Sequence, residues 1–238
     1  MRFIIHEQPY EKPIASGEFR YYLNTEPTGA VESWRLTAAA DDFTFLRVDL
    51  DARAAESGHT YLYHAVLNRV GNIERLKYRF WDKTNHLQVI GDVVVEATAV
   101  TSTHTINSKT NAAVLNMSND FGVWFPSVIG LGFAVRLKGQ NPIATVTLNN
   151  QIGKPDSLAP IKVDINRKFL HTDHHEETIA GQTMQVKNWQ LNWKSNERLI
   201  TTDENGWPLR LDREAINTDG RLTAVATRII HTQRITWP

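Results

Sequence analysis

No cysteine occurs anywhere in the 238 residues. Disulfides, thiolate metal sites and cysteine nucleophiles are thereby excluded, and burial and hydrogen bonding have to hold the fold. Net charge is also missing. Lys plus Arg and Asp plus Glu balance at 26 each, so no overall field draws in nucleic acid or an acidic membrane. The chain has no apolar run of the roughly 20 residues that a spanning helix needs. Gly-x-Ser-x-Gly, Gly-x-Gly-x-x-Gly and a phosphate loop are all absent, which leaves hydrolase, dinucleotide and nucleotide chemistry without a motif. The opening MRFIIHEQPYEKP is too short in apolar residues for a secretory signal, and a cytoplasmic protein is the expectation. No stretch of a dozen residues carries helical periodicity, and no low-complexity linker divides the chain.

Strand signals fill the space. Phe19–Leu23, Val31–Thr37, Phe43–Leu50, His59–Asn68, Glu74–Trp81 and Leu87–Val95 are rich in aromatic and β-branched residues. Turn formers separate them, among them Glu26-Pro27-Thr28-Gly29, Asp41-Asp42 and Val70-Gly71-Asn72. Within Glu74–Trp81, Leu76, Tyr78 and Phe80 point one way and Arg75, Lys77 and Arg79 the other, as in an antiparallel strand with one polar face. The Thr- and Ser-rich stretch around Thr98–Thr110 suits an edge or a lining. Ile143–Leu148, Ile161–Phe169, Glu177–Ile179, Met184–Trp193, Arg198–Thr202, Trp207–Leu211 and Leu222–Ile230 continue the pattern, with Asn205-Gly206 and Asp219-Gly220 as hairpin turns. Between Met184/Val186 and Trp189/Leu191/Trp193 the apolar phase slips by one residue, which predicts a β-bulge.

Between these two sets lies DFGVWFPSVIGLGFAVRLK, uncharged from Phe121 to Val135. The spacing predicts a turn or short helix near Asn119–Ile129 and a strand from Leu131 to Leu137. Ordered matches flank the stretch: Phe45-Leu46-Arg47-Val48-Asp49 with Phe169-Leu170-His171-Thr172-Asp173, Leu67-Asn68 with Leu191-Asn192, and Glu74-Arg75-Leu76 with Glu197-Arg198-Leu199. Their offset of 123 or 124 residues predicts an internal duplication. The expected fold is all-β, an antiparallel spiral β-roll or open barrel built from two structural repeats, with short helical segments. One domain results, with halves at about 15–115 and 140–235 joined by the apolar segment 119–138.

This organisation, with FPSVIGLGFAVRL between the halves and the Asn205-Gly206-Trp207-Pro208-Leu209 turn late in the chain, resembles the putative glycolipid-binding family of bacterial proteins. The resemblance implies a trimmed-open barrel and a lipid- or glycolipid-binding role. Phe121, Trp124, Phe125, Phe133 and Trp193 are the candidate ligand-binding aromatics, with Arg136 as anchor for a polar head. The expected partner is an apolar small molecule, with no nucleic acid, no transmembrane segment and no cofactor. The reading leans away from an enzyme and identifies no catalytic residue. The alternatives are an enzyme acting on an isoprenoid or lipid-like substrate in the same cavity, and a structural β module with a filled interior.

Two polar constellations remain. In an extended His171-Thr172-Asp173-His174-His175-Glu176-Glu177, alternate residues share one face and could offer two ligands to a metal, with His231 or His104 as a third. A solvated hairpin accounts for the same residues, and no metal is expected. The repeated Glu74/Arg75 and Glu197/Arg198 could be charged pairs of like role in each half.

Overall fold

A computed structural model describes residues 4–39, 42–56, 58–82, 84–152, 154–170, 175–214 and 219–232. Eight strands come first: β1 (Lys12–Leu23), β2 (Glu26–Ala38), β3 (Thr44–Ala52), β4 (His59–Leu67), β5 (Ile73–Asp82), β6 (Leu87–Val95), β7 (Ala99–Ile106) and β8 (Lys109–Asn116). The short β9 (Gly122–Val123) and the helix α1 (Val128–Arg136) follow. The chain ends with β10 (Ile143–Leu148), β11 (Pro160–Phe169), β12 (His175–Ile179), β13 (Gln182–Trp193), β14 (Asn196–Asp203), β15 (Pro208–Glu214) and β16 (Arg221–His231).

All the strands belong to a single sheet in the order β8-β7-β6-β5-β4-β3-β2-β1-β16-β15-β14-β13-β11-β10-β9, with β12 also paired to β13. The sheet does not close, because β8 and β9 end the path without pairing to each other. Every ladder is antiparallel except β9 on β10. The protein is therefore an all-β open roll with one short helix, as the strand patterning predicts. Residues β1–β8 form one meander, and the antiparallel pairing of β1 with β16 joins it to the second half. Consecutive antiparallel strands produce this order in any chain, so the order does not by itself distinguish duplication from two independent meanders.

Several sequence expectations are corrected. The first turn is Asn24-Thr25, both with positive φ (49° and 79°), and Glu26–Gly29 lie within β2. A positive-φ pair is what the right-handed twist of a tight hairpin requires, and it outweighs the Pro-Thr-Gly signal. Strand β8 went unanticipated because its residues are exposed on both faces and it pairs only with β7. The phase slip in β13 is not a bulge in its ladder with β14, which runs unbroken from Val186 to Trp193. It falls where β13 exchanges one partner for another, from β12 at residues 182–186 to β11 at 189–192.

The largest correction concerns the central stretch. Residues 131–136 are helical, not extended, and the helix is buried from Val128 to Val135. A helix covered on every side has no polar face, so its sequence carries no 3.6-residue signal. Ser127 sits in extended conformation and its hydroxyl accepts from the Gly130 N–H at 3.0 Å, an N-cap that overrides the two glycines. Gly130 is required for closeness, since a Cβ there would stand 2.3 Å from the Phe125 carbonyl oxygen. The Arg167 guanidinium covers the other end, donating to the carbonyls of Val135 and Leu137.

What fixes the helix inside the roll is Glu32 on β2. Its alternation with Ala30, Trp34 and Leu36 turns it inward, and it is wholly buried. Its carboxylate accepts from the N–H groups of Val128 (2.9 Å) and Ile129 (3.0 Å), and Tyr21 of β1 donates its hydroxyl at 2.7 Å. Helix N-termini leave such N–H groups unpaired and favour negative charge. Around this anchor α1 packs on β9, β13, β14 and β15. Trp34 meanwhile stacks on Trp207 across the two halves, with ring centres 5.4 Å apart.

The outer face of β2 and β3 is strapped by the N-terminal segment. Arg47 makes a two-pronged ion pair with Glu11 (2.7 and 2.8 Å) and bonds the Ile5 carbonyl. Burial alone would raise the Glu11 carboxyl, but hydrogen bonds from Arg47, Thr37 and Gln8 bring it below the usual range.

Replacing Glu32 by Leu removes the acceptor for three buried donors. The expected loss is about 3–9 kcal/mol, with each orphaned group costing about 1–3. Burial pushes the Glu32 carboxyl upward, against the hydrogen bonds from Ile129, Tyr21 and Val128. A carboxyl raised in the folded state binds its proton more tightly there than in the unfolded chain. Its contribution to stability therefore grows as pH falls from neutrality toward the unfolded value near 4.5. Urea unfolding at pH 7 and pH 5 should show wild type gaining relative to Glu32→Gln at the lower pH. An equal pH response in both proteins would contradict this assignment.

Candidate functional site

The strand register gives the roll two ends. At the upper end lie the β4–β5 turn, the β6–β7 turn and the C-terminus of α1. At the lower end lie the Asn24-Thr25 and Lys194-Ser195 turns. A cavity of about 550 Å³ opens at the upper end, within the range of about 300–1,000 Å³ usual for small-molecule sites. Its floor is apolar. Ile73 of β5, Val123 of β9, Phe133 of α1 and Ile143 of β10 are buried there, and Phe121 is half-buried beside them. The rim is polar, with Asn68, Glu74, Asp120 and Lys138.

Arg136 reaches this cavity from the last helical turn and is half-buried. None of the ion pairs among the described residues involves it. The carbonyls it would otherwise serve, those of Val135 and Leu137, are taken by Arg167. Burial pushes the Arg136 guanidinium down to about 10, so the group remains cationic at neutral pH. The cavity thus combines an aromatic and aliphatic floor with a half-buried guanidinium that has no ion pair among the described residues, while Lys138 stands exposed at the rim.

The six candidate residues do not converge on one pocket. Phe121, Phe133 and Arg136 line the upper cavity. Trp124 and Trp193 stand edge to face at the lower end, ring centres 4.9 Å apart, beside a cleft of only about 50 Å³. Trp124 donates its ring N–H to the Thr145 hydroxyl at 3.2 Å. Phe125 lines neither space and is fully buried, 4.6 Å from the Tyr63 ring and 6.2 Å from Phe133. A strand would put alternate residues of this stretch on one wall. A bend at Pro126 followed by a helix distributes them over the length of the roll instead. Ile73, Val123 and Ile143 were not foreseen as lining residues, since nothing in their strands sets them apart from core aliphatics.

The repeated charged pairs differ in role. Arg75 is exposed and pairs with Asp92. Arg198 is buried and lies over the Trp193 ring at 5.2 Å, bonded to the Asn196 side chain and the Glu197 carbonyl. Residues 171–174 of the histidine cluster fall outside the described residues. His175 lies 3.4 Å from Glu177, which is engaged by Arg210 at 2.8 Å. Among the described residues no group of three His, Asp or Glu side chains is disposed to hold a metal ion. No helix among them is long and apolar enough to cross a membrane.

Truncation should separate core from cavity. Phe125→Ala is expected to cost about 3–5 kcal/mol, as for other fully buried phenylalanines. Phe121→Ala, at the solvent-exposed margin of the cavity, should cost less than about 1.5 kcal/mol. Chemical denaturation measures both, and equal losses would mean that Phe121 is part of the core.

No family model matches the chain. No curated protein matches it either. Among solved structures it is similar to one described as "a putative lipoprotein from Parabacteroides distasonis ATCC 8503". The TM-score is 0.35 and the identity 10%, over 91% of this chain and 95% of that one. A likeness of that degree assigns neither family nor function.

Proposed function

We propose that the protein binds an amphiphilic small molecule in the upper cavity, with the apolar part on the Phe121–Phe133 floor and an anionic head at Arg136. The observation that supports this reading is the uncommitted, half-buried guanidinium of Arg136 opening into a 550 Å³ space. Buried arginines without a partner carboxylate are costly, and an anionic ligand supplies the missing charge. On the same reading, residues at about 15–115 and 140–235 are two half-rolls closing over segment 119–138.

The energetics are modest. Ten methylenes at about 0.8 kcal/mol each contribute roughly 8 kcal/mol if fully buried. Loss of translational freedom costs about 4 kcal/mol or more, so the apolar part alone gives a dissociation constant of about a millimolar, and the head at Arg136 tightens it. Trp124 is remote from the cavity, and its fluorescence is not a suitable reporter.

Calorimetric titration with laurate and with dodecanol tests the role of both parts. Laurate should bind wild type at least tenfold more tightly than the alcohol, and Arg136→Met should erase that preference while the alcohol binds as before. If neither compound binds at millimolar concentration, or if the preference survives in Arg136→Met, the proposal fails and a ligand-free structural module is the better reading.

A further inference from the structure

The lower end of the roll holds a second unbalanced charge, separate from the upper cavity. Arg198 on β14 and Arg213 on β15 are neighbours: the ladder ends at Leu199 with Asp212, each arginine is the next residue beyond that pair, and the two interact electrostatically. Like charges directly opposite on one sheet face repel. Both arginines turn inward. Arg198 is 8% exposed and Arg213 is half-buried.

Neither guanidinium pairs with a carboxylate among the described residues. Arg198 is satisfied on one side by Asn196 and the Glu197 carbonyl, and it lies over Trp193. Arg213 has a single long bond to the Glu214 carbonyl, at 3.5 Å. The neighbouring acids are otherwise engaged: Asp212 with Arg210 and Arg221, and Asp82 with His59.

Arg213 is close enough to Tyr21 of β1 and Tyr61 of β4 to interact with both electrostatically. The Tyr61 hydroxyl has no hydrogen bond among the described residues. Beside it on the same strand face the Tyr63 hydroxyl is fully buried and also unpaired, with the two rings stacked at 6.3 Å. Burial pushes Arg198 down to about 10, helped by the charge on Arg213, and it remains cationic at neutral pH; burial lowers Arg213 as well. The two guanidiniums offer donors only, and the tyrosine hydroxyl can donate as well.

We propose that the lower mouth of the roll binds a small oxyanion of the phosphate class between Arg198 and Arg213, with the Tyr61 hydroxyl as a third donor. Two charges on the anion match the two on the protein, and forked guanidinium donors suit tetrahedral oxyanions. The anion would be a free phosphate or the head of a phosphate ester.

Equilibrium dialysis with inorganic phosphate, and thermal melts in phosphate against chloride at equal ionic strength, test the proposal. One phosphate per chain is expected, with a melting temperature several degrees higher in phosphate. Arg213→Met should weaken phosphate binding at least tenfold and abolish the thermal gain. In chloride the same variant should melt no lower than wild type, because one of two repelling cations has gone. Arg213→Lys should retain part of the gain, and Arg20→Met, which removes an exposed arginine, should retain all of it. A short-chain phosphatidate distinguishes the sources: tighter, Arg213-dependent binding than phosphate marks a lipid head, and equal binding marks the free anion. No binding of either, a thermal gain that persists in Arg213→Met, or a lower melting temperature of that variant in chloride would each overturn the site.

Discussion

The bond between Glu32 and the N-terminus of α1 governs the architecture. A 16-stranded sheet has two inner faces to reconcile, and neither can close on the other without something between them. The helix supplies that filling, but a helix buried on all sides has N–H groups at its start that water cannot reach. One carboxylate from a strand 96 residues earlier satisfies two of them, and Ser127 satisfies a third. Because Tyr21 holds the same carboxylate from β1, three elements distant in sequence share a single polar centre. The halves are joined at that centre as well as through the β1–β16 ladder.

This constraint explains why the interior is mostly solid and the open spaces lie at the ends. The helix and its preceding bend carry Phe125 against Tyr63 and Trp124 against Trp193, which fills the middle and lower parts of the roll. Above the helix no element crosses the axis, and the upper cavity is the space left between the β4–β5 and β6–β7 turns and the end of α1. Tyr78 closes another gap by donating to the Leu158 carbonyl, drawing the loop before β11 into the first half. The cavity is a consequence of where a nine-residue helix stops.

The strands were readable from sequence because their partners are periodic. Alternation in β5 sorts Leu76, Tyr78 and Phe80 inward and Arg75 and Arg79 outward, as observed. Glycine turns at Gly71 and Gly206 have the positive φ that their sequences imply. What escaped has no periodic signature. A wholly buried helix with two glycines resembles a strand in composition, and the strand reading of 131–137 failed for that reason. Of the candidate site residues, Phe121, Phe133 and Arg136 fell together because the helix carries two of them and the third immediately precedes β9. The scatter of Trp124, Phe125 and Trp193 depended on a bend that no residue pattern specifies. Glu32 was legible in principle: it is a carboxylate in the inward phase of Ala30, Trp34 and Leu36, and such a residue requires a buried partner.

Arg136 and Glu32 sit at opposite ends of the same dipole, and the comparison shows why only one is left unsatisfied. At the N-terminus, Glu32 meets real hydrogen-bond donors and its charge is neutralised by directed bonds. At the C-terminus the dipole offers roughly half a negative charge, spread over terminal carbonyls. Arg167 already occupies those of Val135 and Leu137. Arg136 gains a favourable field from the helix end but, among the described residues, no ion-pair partner for its guanidinium. A half charge cannot compensate a full guanidinium that is removed from water, and burial accordingly lowers its proton affinity. The residual positive potential is directed at the upper cavity, and it would be relieved by an anionic group entering from the open end. The same reasoning applied to a neutral ligand gives no relief, which is why charge on the head is expected to decide what the upper cavity retains.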